Sequence, residues 1–227
     1  MNVAVVTVGD ELLAGRTTDT NATWLCEQLA DRGVTVERVT TVPDRVGDIA
    51  RVVNEYRAAY DAVIVTGGLG PTHDDVTMDG VAAALGRPMT EHDDALAWLE
   101  DHGYSRDDLT TGTAELPAGG RALHNDVGVA PGVTLEGVYV LPGVPAEMKA
   151  MFERIESDFS GQPVYREVVV ADEPESALLD RLTTLRKRYD VDVGSYPGDS
   201  VRITLESTDE ETVVAAAAWL RDRVDRE

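Results

Sequence analysis

The stretch Tyr60–Thr77, YDAVIVTGGLGPTHDDVT, decides the fold. Ala62, Val63, Ile64 and Val65 run without a polar break. A short β-branched run of this kind predicts a strand buried on both faces, as in a parallel sheet. It ends in Thr66-Gly67-Gly68-Leu69-Gly70-Pro71-Thr72. Glycines at 67, 68 and 70 let the backbone reach φ > 0 and let a ligand approach bare N–H groups. Asp74, Asp75 and Thr77 follow, and then apolar residues at helical spacing, Met78, Val81, Ala82 and Leu85. Strand, glycine loop and helix N-terminus together make a phosphate-binding arrangement. The loop lacks the Lys-Ser/Thr of a P-loop and the Gly-x-Gly-x-x-Gly of a dinucleotide fingerprint. The alternative is a plain tight turn in which Asp74 or Asp75 caps the helix.

Upstream, Asn2–Val8 reads as a first buried strand, ending at Gly9-Asp10-Glu11-Leu12. Carboxylates just past a strand's C-terminal end stand where open α/β sheets place ligands. Asp19, Thr20 and Asn21 are N-cap candidates for a helix whose apolar face is Ala22, Leu25, Cys26, Leu29 and Ala30, with Gly33 as its stop. Residues 34–42 predict a second strand, closed by Val42-Pro43-Asp44, and Val46, Ile49, Ala50 and Val53 a second helix. Taken alone, Asp44 reads as that helix's N-cap.

Downstream, a helix is expected from Thr90 to Gly103, and residues 104–120 show the weakest periodicity. Residues 129–135 and 137–141 read as strands around Asn125, Gly128, Pro131 and Gly132. Pro142-Gly143-Val144-Pro145 forms a second Gly/Pro loop before a helix striped by Met148, Met151, Phe152 and Ile155, with Pro145 suited to its first turn. Ser160-Gly161-Gln162-Pro163 marks a boundary. The expected organisation is therefore an α/β domain over 1–160 and a small α+β subdomain over 163–227, the latter built as strand, helix, two strands and helix.

Net charge is −22, from 42 acids against 20 bases, with Lys149 and Lys187 the only lysines. Such a surface argues against nucleic acid and anionic membranes as partners. Acid-rich, lysine-poor composition points to a halophilic source, where salt screens self-repulsion. Cys26 is the single cysteine, so no intrachain disulfide forms, and its place on an apolar stripe makes it a buried thiol. The first apolar run lacks a signal peptide's basic flank, and no run reaches transmembrane length, so a soluble cytoplasmic protein is expected. His73, His92, His102 and His124 lack metal-ligand spacing; His73, inside the glycine loop, either meets a phosphate or lies exposed. No Gly-x-Ser-x-Gly elbow is present.

Backbone N–H groups of residues 67–70 can take one phosphate. Asp10 or Glu11, Asp44, and Asp74 or Asp75 leave three different strand ends and can converge on a Mg²⁺-type cation. Arg16 lies close enough in sequence to assist.

Gly9-Asp10-Glu11-Leu12, Val42-Pro43-Asp44, the 66–77 segment and Leu141-Pro142-Gly143-Val144-Pro145-Ala146-Glu147-Met148 together resemble the molybdenum-cofactor-biosynthesis domain family, closest to the N-terminal domain of the CinA type. The resemblance covers about residues 1–160, and the layout after 163 also suits that branch. It implies a three-layer α/β/α fold with a mostly parallel sheet, a homotrimer, and a loop-edge site for molybdopterin or a related nucleotide. Ligand contacts would come from Thr66, Gly67, Gly68, Leu69, Gly70, Pro71, Thr72, Asp74, Thr77, Pro142, Gly143 and Pro145. Asp44 and Asp75 would be catalytic, and Asp10, Glu11, Asp44 and Asp75 would hold Mg²⁺ or another divalent cation. The CinA branch implies pyrophosphate hydrolysis of an ADP-ribose-like dinucleotide. The transferase branch implies adenylyl transfer to molybdopterin, but has Thr or Ser where this chain has Leu69. A non-catalytic ligand-binding module is the third reading. The amidase domain that follows in bacterial CinA, and with it nicotinamide-mononucleotide deamidation, is expected to be absent.

Overall fold

The computed structural model describes residues 1–70, 72–104 and 112–225. The chain divides into two compact units, Met1–Gly161 and Gln162–Glu227.

The first unit runs β1 (Asn2–Val8), α1 (Asp10–Leu13), α2 (Thr20–Asp31), β2 (Thr35–Val42), α3 (Val46–Ala59), β3 (Ala62–Thr66), α4 (Thr77–Leu85), β4 (Met89–Glu91), α5 (Asp93–Asp101), β5 (Glu115–Pro117), β6 (Arg121–Leu123), β7 (Gly132–Leu135), β8 (Val138–Leu141) and α6 (Pro145–Glu153). Six strands form one sheet in the order β2-β1-β3-β8-β7-β6. The first four are parallel, and β7 and β6 add antiparallel at the edge. This is a three-layer α/β/α domain with a mostly parallel sheet.

The apolar runs explain the layering. Val3, Val5, Ala62 and Ile64 pack with Leu25 and Leu29 of α2 and with Met148, Met151 and Phe152 of α6. On the opposite face Val6, Val8, Val63 and Val65 pack with Ile49, Val52 and Val53 of α3 and with Val81 and Leu85 of α4. Both faces are covered, so the central strands carry no polar alternation. Ile64 is fully buried, and truncating it to alanine costs about 2–5 kcal/mol.

Register brings the strand ends level. Val8 pairs with Val42, Thr7 with Thr66, and Thr66 with Leu141. The chain leaves β1 for β2 on one side and returns to β3 on the other, so a topological switch point lies between β1 and β3, where such sheets bind ligands.

Several local expectations change. The expected helix from Thr90 begins at Asp93 instead. Met89–Glu91 pairs antiparallel with Glu115–Pro117, and the His92 ring caps α5 by accepting from the Ala95 N–H. The strand expected over 129–135 starts only at Gly132, because the residues before it belong to a loop tied to the Asn125 side chain. Asp44 does not cap α3: the N-cap is Arg45, without a side-chain bond. Asp74 and Asp75 do not cap α4 either, since its N-cap is Val76, also without a side-chain bond. Asp19 does cap α2, accepting from the Ala22 N–H.

The second unit runs β9 (Tyr165–Ala171), α7 (Glu175–Arg188), β10 (Asp192–Tyr196), β11 (Val201–Ser207) and α8 (Glu210–Arg221). Its antiparallel sheet has the order β10-β11-β9. Val169, Ile203 and Leu205 bury against Leu178, Leu182, Leu185 and Ala217. No helix among the described residues is long and apolar enough to cross a membrane.

Candidate functional site at the strand ends

The site grows out of glycines at the ends of the parallel strands. A Cβ on Gly67 would lie 2.2 Å from the Val8 carbonyl oxygen, and its φ of +106° already favours glycine. A Cβ on Gly143 would come 3.1 Å from Gly67 Cα. Three strand ends thus close together backbone to backbone. Hydrogen bonds hold them: Gly67 N–H donates to Leu141 O at 3.2 Å, Thr66 Oγ1 to Pro142 O at 2.7 Å, and Gly9 N–H to Val42 O at 3.1 Å. Asn21 Nδ2 donates to Gly143 O at 2.7 Å, joining α2 to the same floor. The N–H groups of Gly68, Leu69 and Gly70 donate to no acceptor among the described residues.

Over this floor lies a cavity of about 610 Å³. Glu11, Asp44, Asp74 and Asp75 bring carboxylates to its wall. Asp44 Oδ2 accepts the Asp10 N–H at 2.7 Å, so this acid holds the start of α1 rather than α3. Burial raises the Asp44 carboxyl above the ordinary carboxylate value, and the charges of Asp10, Glu11 and Asp74 push the same way, against the Asp10 hydrogen bond. Asp75 Oδ2 accepts from the Thr72 N–H at 3.0 Å and from the Thr72 hydroxyl at 2.6 Å. The Thr72 hydroxyl also bonds Asp74, and that bond holds the exposed Asp74 carboxyl below its ordinary value.

A second cavity of about 450 Å³ lies on the other side of the same loop. Its wall mixes Met78, Met89, Leu116 and Tyr104 with the polar Asp75, Asp79 and Glu115. Gly68, Leu69, Gly70, Asp75, Val129 and Ala130 line both cavities.

The structure distributes the expected residues as follows. Thr66, Gly67, Gly68, Leu69, Gly70, Asp74, Pro142, Gly143 and Pro145 line the first cavity, and Thr72 lines the second. Pro71 lies outside the described residues. Thr77 lines neither cavity: it is fully buried, with Oγ1 facing Gly68 and without a hydrogen-bond partner among the described residues, while its N–H donates to Gly68 O at 3.2 Å. Asp10 reaches the site through its backbone N–H, and neither its side chain nor Arg16 lines the cavity. His73 is exposed and lines neither cavity. Among the described residues no three His, Cys, Asp or Glu side chains stand as a ready-made metal cage. Cys26 is half-buried, and burial, then Asp19 and Glu27, push its thiol up, away from reactivity.

Sequence reasoning missed two walls. Thr17–Asn21 enter because α2 starts beside Gly143, and Gly128–Ala130 enter from the loop before β7. The Gly and Pro density at 128–132 was the available signal for the second. Glu147, inside the quoted 141–148 motif, also lines the first cavity.

Residues 4–162 match the family described as "Probable molybdopterin binding domain". The chain belongs to this family. Residues 163–227 match a second family, "FAD synthase, middle domain". A protein of Archaeoglobus fulgidus is 37% identical over 218 residues, 95% of each chain. A "CinA-like protein" of Gemmatimonas aurantiaca is 38% identical and aligns with 100% of this chain, which spans 59% of that longer protein. The crystal structure of the protein CinA from Thermoplasma acidophilum superposes with a TM-score of 0.65 at 38% identity, over 70% of this chain and 97% of that one. The molybdopterin-binding domain described here is therefore CinA-like, and its fold matches that relative.

Proposed function

We propose that the protein hydrolyses the pyrophosphate of an ADP-ribose-like dinucleotide, assisted by a divalent cation. The observation that carries the reading is the loop Gly68–Gly70, which lines two cavities and whose N–H groups donate to no acceptor among the described residues. A ligand with two bulky ends and a phosphate bridge suits that arrangement, with its flat ring among Met78, Met89 and Tyr104 and its bridge on the loop amides.

The donor set fits a cation shared with substrate. Mg²⁺ takes one or two carboxylates plus phosphate oxygens and waters, and needs no all-protein cage. Asp44 and Glu11 on the cavity wall supply carboxylates, and a cation there offsets the burial and, after it, the neighbouring negative charges that raise Asp44. The cation supplies charge neutralisation on the phosphate oxygens. The protein's residues do the rest. Loop amides orient one phosphate. Asp75, fixed by Thr72, aims a water in line and takes its proton. Water oxygen bonds phosphorus, the bridging P–O bond breaks, and AMP and ribose 5-phosphate leave. A net-acidic protein also needs such a cation to accept an anionic ligand.

A second reading is molybdopterin binding or adenylyl transfer, favoured by the family description and by a second cavity of about 450 Å³ whose mixed apolar and polar wall suits a pterin. Leu69, lining both cavities without a hydroxyl, weighs against the transfer step. The test is incubation with Mg²⁺ or Co²⁺ and, separately, ADP-ribose, FAD, or ATP plus molybdopterin, with products separated by chromatography. AMP from ADP-ribose is expected. Adenylylated pterin as the only product selects the second reading. Binding of any of the three without turnover selects the non-catalytic module.

A further inference from the structure

Asn125 is one of few fully buried polar residues, at 1% exposure. Its amide is saturated. Oδ1 accepts from Gly128 N–H at 2.8 Å and Val127 N–H at 3.4 Å, and Nδ2 donates to Ala130 O at 3.0 Å and Glu147 Oε2 at 2.7 Å. Three of these bonds fold residues 126–130 around the side chain. The fourth ties that loop to the first turn of α6, immediately beyond the Pro142-Gly143 floor. Gly128 is shaped for the contact: a Cβ there would lie 2.3 Å from the Glu147 carboxylate. The loop so held contributes Val129 and Ala130 to both cavities.

We infer that Asn125 and Glu147 are positioning residues, whose side-chain contact fastens the 126–130 loop as the shared wall of the two cavities and sets the gap a bound ligand must span. The inference rests on the reading of the site as a two-cavity ligand site. A buried amide with every donor and acceptor used adopts one orientation, since any other leaves polar atoms unpaired. Two further contacts reach the loop, an ion pair of the exposed Asp126 with Arg154 and the packing of Val129 against Leu96 and Leu99, but the Asn125 side chain makes the hydrogen bonds that fold it.

The test is a role reversal. Asn125→Asp is isosteric but sets a carboxylate oxygen against both the Glu147 carboxylate and the Ala130 carbonyl oxygen, so the tie to Glu147 breaks and the Ala130 bond is lost with it. Adding Glu147→Gln restores it with the donor on the other side. Two measurements run on the full chain: hydrogen exchange at the Val127 and Gly128 amides, and calorimetric binding of ADP-ribose with Mg²⁺. Asn125→Asp is expected to speed exchange at both amides and to weaken binding by about tenfold or more, the scale of one lost hydrogen bond to a charged group. The double variant is expected to recover part of both, because the contact at position 147 returns while the Ala130 carbonyl stays without its donor. A variant that is merely less stable would not recover on a second substitution at the partner position. Wild-type binding in Asn125→Asp, or no recovery in the double variant, overturns the inference. Should the wild-type protein fail to bind ADP-ribose, the dinucleotide reading falls by itself. Exchange at Gly128 then decides the tie: acceleration in the single variant with recovery in the double upholds it, and unchanged exchange overturns it.

Discussion

Asp75→Asn separates a catalytic carboxylate from a structural one. Both bonds from Thr72, at 3.0 and 2.6 Å, end on the same oxygen, Oδ2. Asparagine can place its carbonyl oxygen there and keep both acceptors while losing the charge. A hydrogen bond to a charged group contributes about 1.5–3 kcal/mol and one to a neutral group about 1, so the exchange costs the fold roughly 1 kcal/mol. Helix capping does not enter, because Val76 is the N-cap of α4. Asp75→Ala removes both acceptors and costs roughly 1–3 kcal/mol. If Asp75 aims the attacking water, turnover falls by about 10²–10³ in either variant, as for loss of one preorganised electrostatic contact. Thermal melting and Mg²⁺-dependent release of AMP from ADP-ribose, measured on wild type and both variants, give the comparison. Full turnover in a folded Asp75→Asn refutes the catalytic role. Equal destabilisation in both variants refutes the claim that one oxygen carries the loop.

Asp44→Asn is expected to melt higher than wild type at pH 7 without divalent cation. The folded carboxyl is raised, so its stabilising contribution is present below the ordinary 3.8 and is lost as pH rises through the folded value; the variant's advantage therefore shrinks as pH falls toward 3.8. A lower melt at pH 7 contradicts this. Raising KCl from about 0.1 to 1 M shortens the Debye length from about 10 to 3 Å and should raise the melting midpoint, given a charge of −22; a flat midpoint defeats the halophilic reading. The family resemblance leads to a homotrimer, and light scattering that gives a monomer mass across micromolar concentrations contradicts it. Gly67→Ala should not fold at 37 °C, because its Cβ meets the Val8 carbonyl oxygen at 2.2 Å; a soluble variant with wild-type melting refutes the backbone-to-backbone floor.

Much of this was legible in the chain itself. The runs Val3–Val6 and Ala62–Val65 have no polar residue at alternating positions, and only a parallel sheet covered on both faces buries such strands. The glycines at 67 and 68 likewise declared a loop with positive φ, because their value is local and conformational. The fate of single carboxylates was not legible. Asp44 reads as the cap of the next helix, yet parallel register sets Val42 beside Val8, and its side chain turns to the start of α1 instead. Thr77 belongs to the quoted motif but is folded beneath Gly68, away from both cavities. Short strands such as Met89–Glu91 and Glu115–Pro117 carry no periodicity of their own; their partners lie more than twenty residues apart, and pairing alone makes them strands. The wall at 128–130 depends on Asn125 meeting Glu147 from across the fold. Local pattern determines which segments are buried and where the backbone turns. Only the closed tertiary structure decides which polar side chain finds which partner, since a buried polar group takes whatever partner packing brings within reach.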